Sequence, residues 1–181
     1  MTIQPNLNVM ALDMEYNQPS RSIIQIGVVV GNIQTGNVLS CDSWLIHTSE
    51  PIAPFIEKLC KITNADLDRE GWSLQEAYKE IKVIHHHYQC FRNAITWGGG
   101  DSIDLRYALN LDEEQFIFGR RWIDAKTLFV ARQMVKQQSV QAGLAKAMGR
   151  LGLTFKGTKH NAEDDAYNTF VIYHKLINEF K

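Results

Sequence analysis

The sequence is poor in the features that would place it outside ordinary globular proteins. No apolar run approaches the ~20 residues needed to cross a bilayer, and the opening residues Met1 to Asn6 lack a basic segment leading into an apolar one, so no signal peptide is expected. Cysteine is scarce and scattered: Cys41, Cys60 and Cys90 form no Cys-x-x-Cys pair, which argues against a zinc cluster or a disulfide framework and for reduced, mostly buried thiols in a cytoplasmic protein. His85-His86-His87 is no metal site either, because neighbours on a helix point about 100° apart and cannot close on one ion. Gly98-Gly99-Gly100 is not Gly-x-Gly-x-x-Gly, which excludes a dinucleotide-binding turn. Linkers, repeats and low-complexity stretches are missing, so the expectation is a single domain over residues 1–181, 45% hydrophobic and 22% charged.

Net charge is also nearly missing, at −1, but it is unevenly spread. Residues 119–159 hold nine Lys or Arg against one acid, Asp124, while 1–118 hold eight basic and fifteen acidic residues. Such a division permits a basic surface beside an acidic site, as binding a polyanion requires. It is equally what the solvated faces of two helices would look like.

The patterning predicts strands first and helices after. Val9 to Tyr16 is a short apolar strand. Ser22 to Val30 is β-branched and dense enough for a central strand, and the Asn32 to Asn37 turn leads into a third strand over Val38 to His47. Helices are expected over Phe55 to Cys60, near Ala65-Asp66-Leu67, and from Ser73, with Glu76 completing a capping box, to about Phe91. Ala94 to Trp97 and Arg121 to Asp124 read as brief fourth and fifth strands, with a helix starting near Asp101 or Ser102 between them. A helix then follows with Leu128, Phe129 and Val135 inward, another runs from Val140 to Leu151, and a last one is capped by Asn161 with Ala166, Thr169, Phe170, Tyr173, Leu176 and Ile177 on one face. The fold class is α/β, with a mixed five-stranded sheet whose first three strands form an antiparallel meander, flanked by helices.

The informative stretch is Val9-Met10-Ala11-Leu12-Asp13-Met14-Glu15-Tyr16-Asn17. Alternation along a strand sends Asp13 and Glu15 to the same side, roughly 6–7 Å apart. Two like charges at that spacing repel, and a hard divalent cation, which prefers oxygen ligands, is one thing that keeps both; the polar face of a half-exposed strand is the other reading.

Taken in order with Trp97-Gly98-Gly99-Gly100-Asp101 and His160-Asn161-Ala162-Glu163-Asp164-Asp165-Ala166, this stretch resembles the three motifs of the DEDDh 3′→5′ exonucleases, the group of the polymerase proofreading subunit, RNase T and the Eri-type histone-mRNA enzymes. The resemblance implies a ribonuclease-H-like fold and a metal set of Asp13, Glu15, Asp101 and Asp165, with Asp104, one helical turn on, as the rival for the middle carboxylate. Three of these carboxylates in one pocket need about two divalent cations, Mg²⁺ with Mn²⁺ as substitute, which at about 3.5–4 Å apart activate the attacking water and stabilise the leaving 3′ oxygen. His160, five residues before Asp165 and with an ordinary pKa of ~6.5, is then the general base.

By the same likeness Met14, Tyr16 and Asn17 contact the 3′-terminal nucleotide, with Tyr16 able to stack or to be core. Lys156 and Lys159 are candidate phosphate contacts. The segment Ala53 to Thr63 resembles the Eri-type subgroup, with two departures: Lys61 stands where glycine is usual, and Asn17 where threonine is common. The implied activity is hydrolysis of single-stranded RNA or DNA from the 3′ end to nucleoside 5′-monophosphates, leaning slightly toward RNA. A catalytically silent nucleic-acid-binding domain and a short-oligonucleotide hydrolase are the alternatives.

Overall fold

The computed structural model describes residues 7–179. The sheet is built from β1 (Asn8–Tyr16), β2 (Ile23–Asn32), β3 (Val38–Leu45), β4 (Ile95–Thr96) and β5 (Ile123–Asp124), in the order β3-β2-β1-β4-β5. The first three strands are antiparallel, whereas β4 joins β1 and β5 joins β4 in parallel, as the fold class expected. The helices are α1 (Pro54–Cys60), α2 (Asn64–Glu70), α3 (Leu74–His87), α4 (Asp101–Ala108), α5 (Ala125–Val135), α6 (Leu144–Arg150) and α7 (Ala162–Asn178).

Period-two alternation divides the core into two layers. Met10, Leu12 and Met14 of β1 point to one face, where Ala77, Tyr78 and Ile81 of α3 pack with Leu105, Phe116 and Phe118. Val9 and Ala11 point to the other, against Ala166, Phe170 and Tyr173 of α7. Asp13 and Glu15 continue this second row, so the strand that buries α7's apolar stripe also carries two carboxylates to the helix's N-terminal end.

β2 is shaped to receive that helix. Its residues on the α7 side are Gln25, Gly27, Val29 and Gly31, paired across the strands with Glu15, Asp13, Ala11 and Val9. A Cβ on Gly27 would stand 2.1 Å from the Ala162 carbonyl carbon, and one on Gly31 would stand 2.1 Å from the Phe170 ring. The helix backbone therefore lies directly on the strand, and Ala162 N–H donates to Gln25 Oε1 at 3.0 Å in the buried seam.

Several elements differ from the sequence reading. α2 is a full helix with a reciprocal cap between Thr63 and Asp66. α3 stops at His87, because Gln89 turns into the left-handed region and Phe91 N–H bonds to Asn8 O at 2.7 Å, carrying the chain back to β1. Val135 is not inward: it is 84% exposed, since α5 buries Ala125, Phe129 and Gln133 at a spacing of four, which leaves Val135 on the opposite side. α6 starts at Leu144 rather than Val140, because Ser139 O is held outside the helix by Arg150 and Gln133. Of the three cysteines, Cys60 and Cys90 are buried and Cys41 is exposed. His85 faces the core while His86 and His87 face solvent.

Candidate active site

The structure gathers residues from three distant segments at the end of β1. One carboxylate oxygen each from Glu15 and Asp165 and one ring nitrogen of His160 lie within 4.8 Å of one another. Asp13 stands two residues from Glu15 on the same face, close enough that Asp165, Glu15 and Asp101 all act on its charge. Asp101 opens α4 after the glycine turn, and its Oδ1 accepts from the Tyr16 hydroxyl at 3.0 Å. The rival Asp104 is taken up by Arg21, at 2.5 Å, on the outer side. That pairing leaves Asp101 as the residue turned toward the other carboxylates.

The electrostatics are those of a crowded anion cluster. Burial, and then Asp165, Glu15 and Asp101, hold the Asp13 carboxyl well above its usual range. Burial raises Glu15 and Asp165 too, opposed by the Cys60 thiol at Glu15 and by the His160 backbone N–H at Asp165. Asp101 is pushed up to about 6, mainly by burial, against the hydrogen bond from Tyr16. Four carboxyls that all resist ionisation in the bare protein are stabilised by a cation among them. An all-oxygen donor set of this kind fits a hard divalent ion of the Mg²⁺ type.

His160 sits on the exposed rim with φ 61, in the left-handed region, and its backbone N–H donates to Asp165 Oδ2 at 3.0 Å. The loop that carries it is tied to α7 by Asn168, fully buried, whose amide bonds to Lys156 O, Lys156 N–H and Asp164 O. Thr158 N–H adds a bond to Asp164 Oδ2 at 2.7 Å. At Gly157, φ is +83 and a Cβ would press on the Asp164 carboxylate, so a larger residue there would be strained and would displace that side chain. Asn161 caps α7 as expected, accepting from Asp164 N–H.

The expected nucleotide contacts are placed unevenly. Met14's side chain is buried in the layer facing α3, on the opposite side of β1 from Asp13 and Glu15, so only its main chain remains to meet a ligand. Asn17 is 2% exposed, and its amide is spent on Pro51 O, Glu50 and Ala53 N–H, which pins the entry to α1. Tyr16 is half-buried and serves Asp101. Lys159 is exposed and acts on the charge of Asp165, while Lys156 Nζ lies 4.3 Å over the Tyr167 ring.

Sequence reasoning missed Cys60. Its thiol donates to Glu15 Oε2 at 3.3 Å and is itself pushed up to about 12 by burial and by Glu15, so it stays a neutral donor. Nothing in its spacing signals this, since α1 is separated from β1 by more than thirty residues. Gln25, Gly27 and Gly31 did leave a signal: polar or Cβ-less residues at even spacing inside an apolar strand. Lys61, which departs from the glycine of the Eri-type pattern, adopts φ 62 and ψ 25, the left-handed cap that glycine favours, so the chain turns there despite the substitution.

No protein-family model and no curated protein sequence matches the chain. Solved structures do. The nuclease domain of 3′hExo, a DEDDh family member, bound to rAMP, superposes with a TM-score of 0.79 at 17% identity, over 96% of this chain and 93% of that one. The fold is that of the DEDDh exonucleases. A full-length 3′-exonuclease gives the same TM-score of 0.79 at 17% identity over 98% of this chain, which spans 62% of that protein. S. pombe Pop2p in its Mg²⁺- and Mn²⁺-bound form follows, with a TM-score of 0.70 at 18% identity, over 95% of this chain and 83% of that one.

Proposed function

We infer that this protein is a divalent-metal-dependent 3′→5′ exonuclease that releases nucleoside 5′-monophosphates from single-stranded RNA or DNA. The observation that carries the reading is the convergence of Asp13, Glu15, Asp101 and Asp165 from three separate segments on one end of the sheet, with His160 on the open rim. The exonuclease fold supports it.

Asp13, Glu15, Asp101 and Asp165 would hold two Mg²⁺ ions, or Mn²⁺ in their place. When bound, such a pair supplies water activation and charge stabilisation at the leaving 3′ oxygen. The protein's own groups do the rest. A ring nitrogen of His160 lies within 4.8 Å of Glu15 and Asp165 carboxylate oxygens, from where it would accept the proton of the attacking water. Cys60 and the His160 backbone N–H fix the orientation of Glu15 and Asp165, and Tyr16 fixes that of Asp101. The main chain at Met14 and the exposed Lys159 would hold the terminal nucleotide and its phosphate.

The test is incubation with 5′-labelled single-stranded RNA or DNA of one sequence, in Mg²⁺ or in EDTA, with Asp13→Ala as the control for contaminating nuclease. A Mg²⁺-dependent ladder shortening from the 3′ end, absent in the control, is expected. Asp165→Asn abolishes the ladder, and His160→Ala slows it by about 10²–10⁴-fold, with melting temperature preserved. Near-normal turnover in His160→Ala would remove it from the role of base, and strand binding without a ladder would leave a nucleic-acid-binding domain.

A further inference from the structure

A cavity of about 570 Å³ lies outside the carboxylate site, on the far flank of α4. One wall is Ser102, Ile103 and Arg106 of α4, and Ser102 is the immediate neighbour of Asp101. Arg92, Arg120, Arg121, Trp122, Phe116 and Phe118 complete the lining. A volume of this size accommodates a nucleotide.

The lining is rich in donors. Arg106 and Arg120 are both paired to Glu113, whereas Arg92 and Arg121, both exposed, have no ion-pair partner among the described residues. The indole N–H of Trp122 is buried with no hydrogen-bond partner among the described residues. Four arginines face two glutamates, Glu113 and Glu114, so the cavity is net positive while the carboxylate site across α4 is strongly negative. The basic stretch 119–159 contributes here chiefly through Arg120 and Arg121. Elsewhere its charges are dispersed: Arg132 and Lys136 pair with Glu179, and Lys156 covers Tyr167.

We propose that this cavity is a phosphate-accepting subsite for a nucleotide of the substrate strand on the 5′ side of the scissile bond, with Arg92 and Arg121 as its free phosphate contacts. The assignment rests on the exonuclease reading: with the 3′-terminal nucleotide at the carboxylates, every further nucleotide of the strand lies 5′ of it. An unpaired guanidinium presents a fork of donors matched to phosphate oxygens, and aromatic edges beside it tolerate any base.

Two measurements test this. In an Asp165→Asn background, so that the strand is not consumed, binding of a labelled single strand is followed by anisotropy against salt. Adding Arg92→Gln and Arg121→Gln lowers affinity about tenfold and flattens the log–log salt slope by about 1.4, at about 0.7 per lost contact. In the otherwise native enzyme, the same pair lowers the efficiency on a long strand relative to that on a dinucleotide. Charge reversal at Arg121→Glu deepens both effects, and because both arginines are exposed the melting temperature reports that the fold is intact. An unchanged salt slope and an unchanged long-to-short ratio overturn the subsite. A native enzyme that degrades neither RNA nor DNA overturns the exonuclease reading instead, and the binding arm still decides whether the cavity takes a strand.

Discussion

The two walls of the carboxylate site are built in opposite ways. On the α7 side, the helix start rests on the strand with no side chain between them: Gly27 admits the Ala162 carbonyl, Gln25 takes the Ala162 N–H, and Asn168 with Asp164 ties down the loop that brings His160. On the α4 side, Asp101 follows three glycines, two of them at positive φ, and a Cβ on Gly98 or Gly99 would meet nothing within 4 Å. Leu105 anchors that helix in the core, but Asp101 itself is set by individual polar contacts: Gly98 N–H to Asp124, Tyr16 to Asp101, and Arg21 to Asp104. The outer residues Ile103 and Tyr107 are largely exposed. Close backbone packing fixes His160 and Asp165 before any ligand arrives, whereas the middle carboxylate is oriented by bonds that can be removed singly.

The contrast is broken most directly at its glycines. Gly27→Ala forces a methyl into the Ala162 backbone, so α7 must lift from β2. The expected cost is about 1–3 kcal/mol, a fall of several degrees in thermal melting, with a large loss of hydrolysis because Asp165 and His160 move together. Gly99→Ala should be tolerated, within about 1 kcal/mol of the native protein by the same melt. Equal destabilisation by the two substitutions would mean that the α4 wall is packed as tightly as the other.

Tyr16→Phe isolates the polar tether. Asp101 loses its oriented donor, so the Mg²⁺ concentration needed for half-maximal activity should rise severalfold, with stability lowered by only about 0.5–1.5 kcal/mol. A metal titration unaffected by the change would remove Tyr16 from the site's support. Cys60→Ser keeps a donor to Glu15 and should resemble the native protein, while Cys60→Ala should share the Tyr16→Phe phenotype more weakly.

The smallest effect concerns pH. Asp101, raised to about 6 in the folded protein, binds more protons there than when unfolded. Its stabilising contribution is therefore complete below its ordinary carboxylate range and is lost as pH rises through about 6. Asp13, Glu15 and Asp165 shift in the same direction. Metal-free protein in EDTA should melt at lower temperature at neutral pH than at mildly acidic pH, and Mg²⁺ should narrow that difference. Melting that rises with pH in EDTA would contradict the anion cluster.

Much of this architecture was legible from local pattern. Alternation in Val9 to Tyr16 puts Asp13 and Glu15 on one side; the β-branched run of β2, the Ser73 capping box and the Asn161 cap are local events, and each formed where its residues indicated. Val135 and the start of α6 were misread for the opposite reason. Helical spacing does not say which face a partner covers, and Ser139 is held outside the helix by Arg150 and Gln133. Cys60 and Arg21 were invisible, because their roles exist only when α1 meets Glu15 and when α4 meets the turn after β1.

The sequence by itself determined the order of strands and helices, the pairing of two carboxylates on a strand, and a histidine leading into an acidic helix start, because these depend on backbone periodicity and capping over a few residues. Only the tertiary structure decided which middle carboxylate faces the site, since Arg21 engages Asp104 and Tyr16 holds Asp101. It also decided that Met14 and Asn17 serve the core and the α1 entry, and that Arg92 and Arg121, with no ion-pair partner among the described residues, gather beyond α4. Those outcomes turn on contacts between residues far apart in the chain, and burial and charge at such contacts are set by packing.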